Sequence, residues 1–192
     1  VEQVKKLLKL VGIDPQRYRS YPHELSGGMK QRAMIAMALA LDPPLVIADE
    51  PTTALDVVVQ AQVMNTLKKL QRERGTSIIL ITHDLSLIAE IADKVAIMYA
   101  GKIVEIGTSE QIYLNPQHPY TRGLLNSIPR IRGEVKKLTW IPGVPPDLIN
   151  PPPGCRFHPR CSYRFEPCTQ EEPPLIEVEP GHKVACWLYA KR

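Results

Sequence analysis

The 192-residue chain is short of several things. No cysteine occurs before residue 155, and all four lie between 155 and 186. Prolines are sparse in the first two thirds: seven stand before residue 129 and twelve in the last 64 residues. No apolar run approaches the ~18–20 residues of a membrane span. No secretory leader is expected from the opening residues, because Val1-Glu2-Gln3-Val4-Lys5-Lys6 reads as a charged amphipathic helix. Internal repeats are absent too. Neither sign of charge dominates. A net charge of +4 permits contact with an anionic surface without demanding nucleic acid, and no nucleic-acid partner is expected. The first residue is Val rather than Met, which leads us to expect a piece or processed product of a longer protein. The length suffices for one sizeable core or two small ones. The two counts divide it into an ordinary α/β region and a Pro-rich, loop-dominated region that needs a staple.

Periodicity places the elements. Val4, Leu7, Leu8 and Val11 repeat at helical spacing over 2–11, and Gly12 stops the helix. A loop with Pro15 and Pro22 follows. Ser26-Gly27-Gly28 then stands directly before a long run without a breaker, predicting a helix over 27–41 that closes at Asp42-Pro43-Pro44. Leu45–Ala48 reads as a buried strand ending in Asp49-Glu50-Pro51. A helix is predicted over 56–73, with Val59, Val63, Leu67 and Leu70 on one face and Gly75 as its stop. Ser77–Ile81 is a second buried strand, ending in Thr82-His83-Asp84. Strand, helix, strand is a right-handed parallel unit. Beyond it come a short helix over 85–92, a hairpin of 94–99 and 102–106 about Ala100-Gly101, and a helix opened by the Thr108/Gln111 capping box. A further short helix spans 120–127, and 175–178 with 183–188 form a small hairpin.

Three groups of residues carry chemistry. The Ser26-Gly27-Gly28 helix start offers unpaired N–H groups and about half a positive charge to an anion such as phosphate, although Ser26 is equally an ordinary N-cap. Asp49 and Glu50 sit where ligands of parallel sheets bind, at a strand's C-terminal end. One carboxylate there suits Mg²⁺, and the other suits polarising a water for attack on phosphate. His83 ends the neighbouring strand and suits a γ-phosphate or the attacking water. Set against these, an acidic strand end is often a solvated turn and a lone histidine is often structural.

Four motifs in order carry a resemblance: Leu25–Arg32, Leu45–Pro51, Thr53-Ala54-Leu55-Asp56 and Thr82-His83-Asp84. Together they resemble the signature motif, Walker B strand, D-loop and switch histidine of an ABC transporter's nucleotide-binding subunit. Asn115–Thr121 and Gly154–Cys161 are similar to the tail of the oligopeptide/dipeptide permease ATPases, which nickel importers share. The fold this implies is α/β: the C-terminal part of an ABC-type P-loop ATPase domain over 1–107, then a small Pro/Cys-rich domain over 108–192. The function implied is that of an ATPase subunit driving uptake of oligopeptides, dipeptides or nickel. It would act as a pair with a second ATP-binding subunit, identical or not, and with transmembrane permease subunits, at the cytoplasmic face of the inner membrane. In that arrangement Ser26, Gly27, Gly28 and Gln31 meet the ATP held by the partner. Asp49 serves Mg²⁺, Glu50 is the general base, His83 contacts the γ-phosphate and Asp56 lies at the dimer interface.

The chain departs from the family at one point. No G-x-x-x-x-G-K-[ST] phosphate loop occurs in it. It is therefore expected to offer a signature to another subunit's ATP without hydrolysing ATP alone. The uncovered core surface that would follow favours oligomerisation or altered packing.

Cys155, Cys161, Cys168 and Cys186 form the last group. Their spacing does not fit paired C-x2-C zinc knuckles. Four thiolates can hold a [4Fe–4S] cluster, Zn²⁺ remains an alternative, and disulfides or free thiols a third. The resemblance favours the cluster, because some relatives are reported to carry one in this tail. Arg156, Arg160 and Arg164 read as a solvated face or as compensation for anionic thiolates. Trp140 and Trp187 read as packing anchors. Two rival functions stay open: a metal-binding interaction module over 129–192, and an ABC-type ATPase working outside transport, for example on chromosomes. Against the latter, the short link from the Ser26 signature to His83 leaves no room for a coiled-coil insertion, and the tail does not fit.

Overall fold

A computed structural model describes residues 1–53, 55–127 and 140–190. Expectations for Ala54 and for the start of the Pro-rich segment at Pro129 lie outside the described residues. Two compact units divide at Ile91/Ala92.

In the first unit, α1 (Glu2–Leu10) leads through short 3₁₀ turns to α2 (Gly27–Ala38). Strand β1 (Leu45–Asp49) is followed by α3 (Val57–Arg74), β2 (Ser77–Ile81) and α4 (Leu85–Ile91). Asp56 caps α3 by accepting from the Val59 N–H at 2.9 Å, and Gly75 ends the helix in the left-handed region at φ 67°. β1 and β2 pair in parallel from Leu45↔Ser77 to Asp49↔Ile81, as strand–helix–strand predicts. Val11, Ile13, Ile35, Leu39, Val46, Val63, Leu67 and Leu70 form the core, so the period of α3 points where the sequence puts it, whereas in α1 Leu7 and Leu8 pack on the core and Val4 is exposed.

Two expectations change here. α2 ends at Ala38 rather than Leu41, because Asp42 takes φ 48° ahead of two prolines and Leu41 turns outward. The strands are not buried on both faces. Val46 and Ala48 face the core, whereas Ile47 is 63% and Ile79 49% exposed, with Leu45 and Ile81 beside them. Helices of this unit cover one face of the sheet, and an apolar face is left in solvent.

The second unit opens with the predicted hairpin of β3 (Lys94–Tyr99) and β4 (Lys102–Thr108). Ala100 and Gly101, at φ 48° and 79°, make its two-residue turn. Thr108 and Gln111 form the capping box of α5 (Ser109–Leu114), and α6 (Pro119–Asn126) follows. Then come α7 (Glu166–Gln170), β5 (Leu175–Glu179) and β6 (His182–Ala185). The two hairpins join through Glu105↔Val184 and Ile106↔Lys183 into one sheet of order β3-β4-β6-β5. Sequence reading treats them as separate. It also places a boundary at 107/108, a residue pair that this sheet spans. β6 stops at Ala185, short of the expected 188.

Glu105 is wholly buried at the centre of this unit. Its carboxylate accepts from Gln117 N–H at 2.6 Å, His118 N–H at 3.0 Å and His182 Nε2–H at 2.8 Å. Beside it, Tyr99, Tyr120, Phe157 and His118 make an aromatic cluster with ring centroids 4.7–5.7 Å apart. Trp187 donates to the Glu171 carbonyl at 2.9 Å, as an anchor should. Trp140 does not serve as one, since it is 82% exposed.

Candidate functional site

The first unit carries two groups of predicted residues, built by different local rules. At the start of α2, Ser26 Oγ accepts from the Met29 N–H at 3.3 Å. The hydroxyl keeps its own proton to donate while it serves as the cap. Gly27 and Gly28 occupy the first helical positions, whose N–H groups have no intrahelical acceptor. The two glycines differ. Gly27 is exposed, and a Cβ there would meet only Leu55 Cδ2, at 3.5 Å. Gly28 is buried, and a Cβ would stand 2.2 Å from Val59 Cγ1. Only Gly27 thus has its bare backbone turned to solvent, while Gly28 is demanded by α3. Sequence reasoning assigned both glycines to anion approach and missed Val59. Asp56 reaches this region through its cap on the Val59 N–H. Gln31 lies half-buried one turn on. Arg32 is committed structurally, donating from Nη1 to the Gly12 carbonyl at 2.8 Å.

The second group sits at the C-terminal ends of β1 and β2. The Glu50 N–H donates to the Ile81 carbonyl at 2.8 Å, extending the parallel ladder one residue past Asp49. Glu50 itself takes φ 46°, in the left-handed region that non-glycine residues rarely enter. That turn directs its carboxylate to His83, whose Nδ1 lies 2.9 Å from Oε1. The other oxygen, Oε2, accepts from Thr53 Oγ1 at 2.6 Å. The bond from Thr53 and then the one from His83 hold the Glu50 carboxyl below its ordinary range. Glu50 in turn pushes the His83 imidazole above its usual value, chiefly by hydrogen bonding. Asp49 is exposed and makes no side-chain hydrogen bond or ion pair among the described residues, so its oxygens suit a hard divalent cation. Thr53 is the functional contact that motif reading passed over, although its spacing of three from Glu50 marks a turn.

The four cysteines of the second unit are all unbridged. The Cys155 N–H donates to the Cys168 carbonyl at 2.9 Å, across Gly154, where a Cβ would come within 2.6 Å of that same oxygen. Cys186 feels the charge of the other three thiols, and Cys155 that of Cys161 and Cys168, so the four lie in one region. Burial pushes Cys155 and Cys161 upward, and Cys186 up to about 12. A metal ligand must be a thiolate, so a metal binding at Cys155, Cys161 and Cys186 would have to displace protons that burial favours. No group of three or more His, Cys, Asp or Glu among the described residues is placed to hold a metal ion. The arrangement therefore lends no support to the [4Fe–4S] or Zn²⁺ site expected at Cys155, Cys161, Cys168 and Cys186. The arginines are not a uniform solvated face either. Arg156 donates to the Ala100 carbonyl, Arg160 donates to the Pro142 carbonyl at 2.8 Å, and Arg164 stays exposed near Cys161.

No helix among the described residues is long and apolar enough to cross a membrane. Residues 1–53 match the ABC transporter family, and residues 104–168 match the oligopeptide/dipeptide transporter C-terminal region. The chain is 52% identical over its whole length to the dipeptide transport ATP-binding protein DppD of Bacillus subtilis (strain 168), and spans 58% of that protein. It is 54% identical to the oligopeptide transport ATP-binding protein OppD of the same organism, covering 95% of this chain and 52% of that one. Among solved structures, it is similar to the dimeric post-hydrolysis state of the ATP-binding cassette MJ0796 bound to ADP and Pi. That match has a TM-score of 0.50 at 31% identity, over 56% of this chain and 46% of the cassette. The chain thus spans little more than half the length of the curated relatives it matches. Through both of its matched regions, it belongs to the ATP-binding proteins of the oligopeptide/dipeptide ABC transporter family.

Proposed function

We propose that this chain is the signature-bearing and base-bearing part of an ATPase subunit that drives a peptide importer. The observation that carries this reading is the Glu50–His83 contact of 2.9 Å at the ends of two parallel strands, with an exposed glycine helix start in the same unit. Relatives named for dipeptide and oligopeptide transport support peptides over nickel, and over a role outside transport.

The residues divide the work. Ser26 Oγ–H and the N–H groups of Gly27 and Gly28 donate to the γ-phosphate of an ATP seated on a partner subunit, where the α2 dipole adds to the attraction. Asp49 would hold Mg²⁺, which neutralises charge on the phosphates when bound. Glu50 takes a proton from the attacking water, and His83 orients that carboxylate and reaches for the γ-phosphate. Asp56 faces the partner while capping α3. Closure of two such subunits around ATP moves membrane subunits against which this protein rests, from the cytoplasmic side. The match to a dimeric cassette supports the pairing.

Residues 108–192 act in this reading as a family-specific tail domain. The [4Fe–4S] and zinc expectations form no part of it, since no metal-holding group is found among the described residues. The 192 residues without a phosphate loop bind no ATP productively by themselves.

The test is reconstitution of the full-length subunit with its membrane subunits in vesicles. ATP-driven dipeptide uptake is expected, and Glu50→Gln should abolish uptake and hydrolysis together. Uptake without ATP, or hydrolysis that survives Glu50→Gln, would contradict the reading.

A further inference from the structure

We propose that Thr53 is a positioning residue for the base Glu50, an inference that rests on the hydrolytic reading above. A glutamate at an exposed site has three freely rotating side-chain torsions, and a base must be held close to one geometry to act. Glu50 is open to solvent, so burial does not fix it. What fixes it is a grip on both oxygens, Oε1 by His83 Nδ1 at 2.9 Å and Oε2 by Thr53 Oγ1 at 2.6 Å.

The grip from Thr53 is built into the backbone. The Thr53 N–H donates to the Glu50 carbonyl at 3.1 Å, closing a turn over residues 50–53. Pro51 and Thr52, between them, are buried, and the Thr52 carbonyl accepts from Gln60 Nε2 of α3 at 3.3 Å. Thr53 is thus held at both its N–H and its neighbour's carbonyl, and its hydroxyl has a fixed address. His83 alone leaves the carboxylate free to swing about a single contact. With both contacts made, each oxygen keeps a lone pair for water, and that lone pair points in one direction. An exposed hydrogen bond of this kind adds little to stability. Its effect falls on the aim of the base.

The experiment uses the full-length subunit. Thr53→Val removes the hydroxyl at constant shape, Thr53→Ser keeps it, and Glu50→Gln removes the base. We expect Thr53→Val to lower kcat about tenfold or more, with KM for ATP, thermal midpoint and ATP-dependent pairing unchanged. Thr53→Ser, which keeps the hydroxyl, should stay near wild type. Wild-type kcat in Thr53→Val overturns the proposal, as does a loss shared by KM or by the thermal midpoint, or one that Thr53→Ser shows equally. If Glu50→Gln itself leaves hydrolysis intact, the hydrolytic reading fails, and that result is distinct from failure of the Thr53 assignment alone.

Discussion

Gly28 and Val59 occupy the same space: a side chain on the first would stand 2.2 Å from Cγ1 of the second. The start of α2, which carries the residues proposed to meet phosphate, is therefore seated on the first turn of α3. Asp56 fixes that turn by capping the Val59 N–H. Gly28→Ala should destabilise the first unit by about 1–3 kcal/mol, the usual cost of overpacking. Val59→Ala should recover part of it, since it clears the colliding methyl groups. Amide exchange of α2 and α3 measures both, and a neutral Gly28→Ala would contradict the contact.

The Glu50–His83 pair has a defined pH window. Glu50 titrates below its ordinary value and His83 above its own. The stabilisation carried by Glu50 is present above its unfolded value and is lost as pH falls through the lowered one. That carried by His83 is complete below its unfolded value and is lost as pH rises through the raised one. The carboxylate–imidazolium contact exists between those limits. NMR titration of the His83 ring should show the raised value, and Glu50→Gln should bring it down. An unmoved His83 titration would contradict the contact.

His118 has the opposite sign. It is 1% exposed, and burial followed by the Arg122 charge lowers its pKa to about 4. Its Nδ1 accepts from the Tyr120 N–H at 3.0 Å, which requires a bare nitrogen. The unfolded chain binds the proton first as pH falls from 6.5. Stability of the second unit should therefore decline from there to about pH 4, by roughly 3 kcal/mol in all. Tryptophan fluorescence in urea reports this unit, since Trp140 and Trp187 both lie in it. A flat profile across that range would contradict the assignment.

Glu105 should be the most costly single change in the second unit. Glu105→Leu leaves the Gln117 and His118 N–H groups and His182 Nε2 without their acceptor. We expect a loss of roughly 3 kcal/mol or more in the same urea experiment.

The site was more legible than the tail. Asp49, Glu50 and His83 declare themselves because an apolar run of strand length ends at each, and parallel pairing then brings the ends together. The Thr108/Gln111 box and the Ala100-Gly101 turn are equally local signals. Glu105 gives no such signal. A charged residue in a strand reads as solvent-facing, and the three donors that bury it come from positions 12 to 77 residues away. The joining of β4 to β6 is hidden for the same reason, since the pattern of neither strand names its partner. Gly28 was legible as a glycine and misread in its cause, because Val59 looks like ordinary core periodicity. The cysteines were legible as a set, but spacing says nothing of the burial that pushes the Cys155, Cys161 and Cys186 thiols up.

The central claim is that Ser26–Gly28 serves an ATP held by a partner, while Glu50 hydrolyses this subunit's own. Light scattering on the full-length subunit carrying Glu50→Gln, with ATP present, tests it most directly. Blocked hydrolysis should trap a pair with one ATP per subunit, and adding Gly27→Asp, which sets a carboxylate against the phosphate, should return it to monomers that still bind ATP. Pairs that persist with Gly27→Asp, or monomers in Glu50→Gln saturated with ATP, would contradict the account.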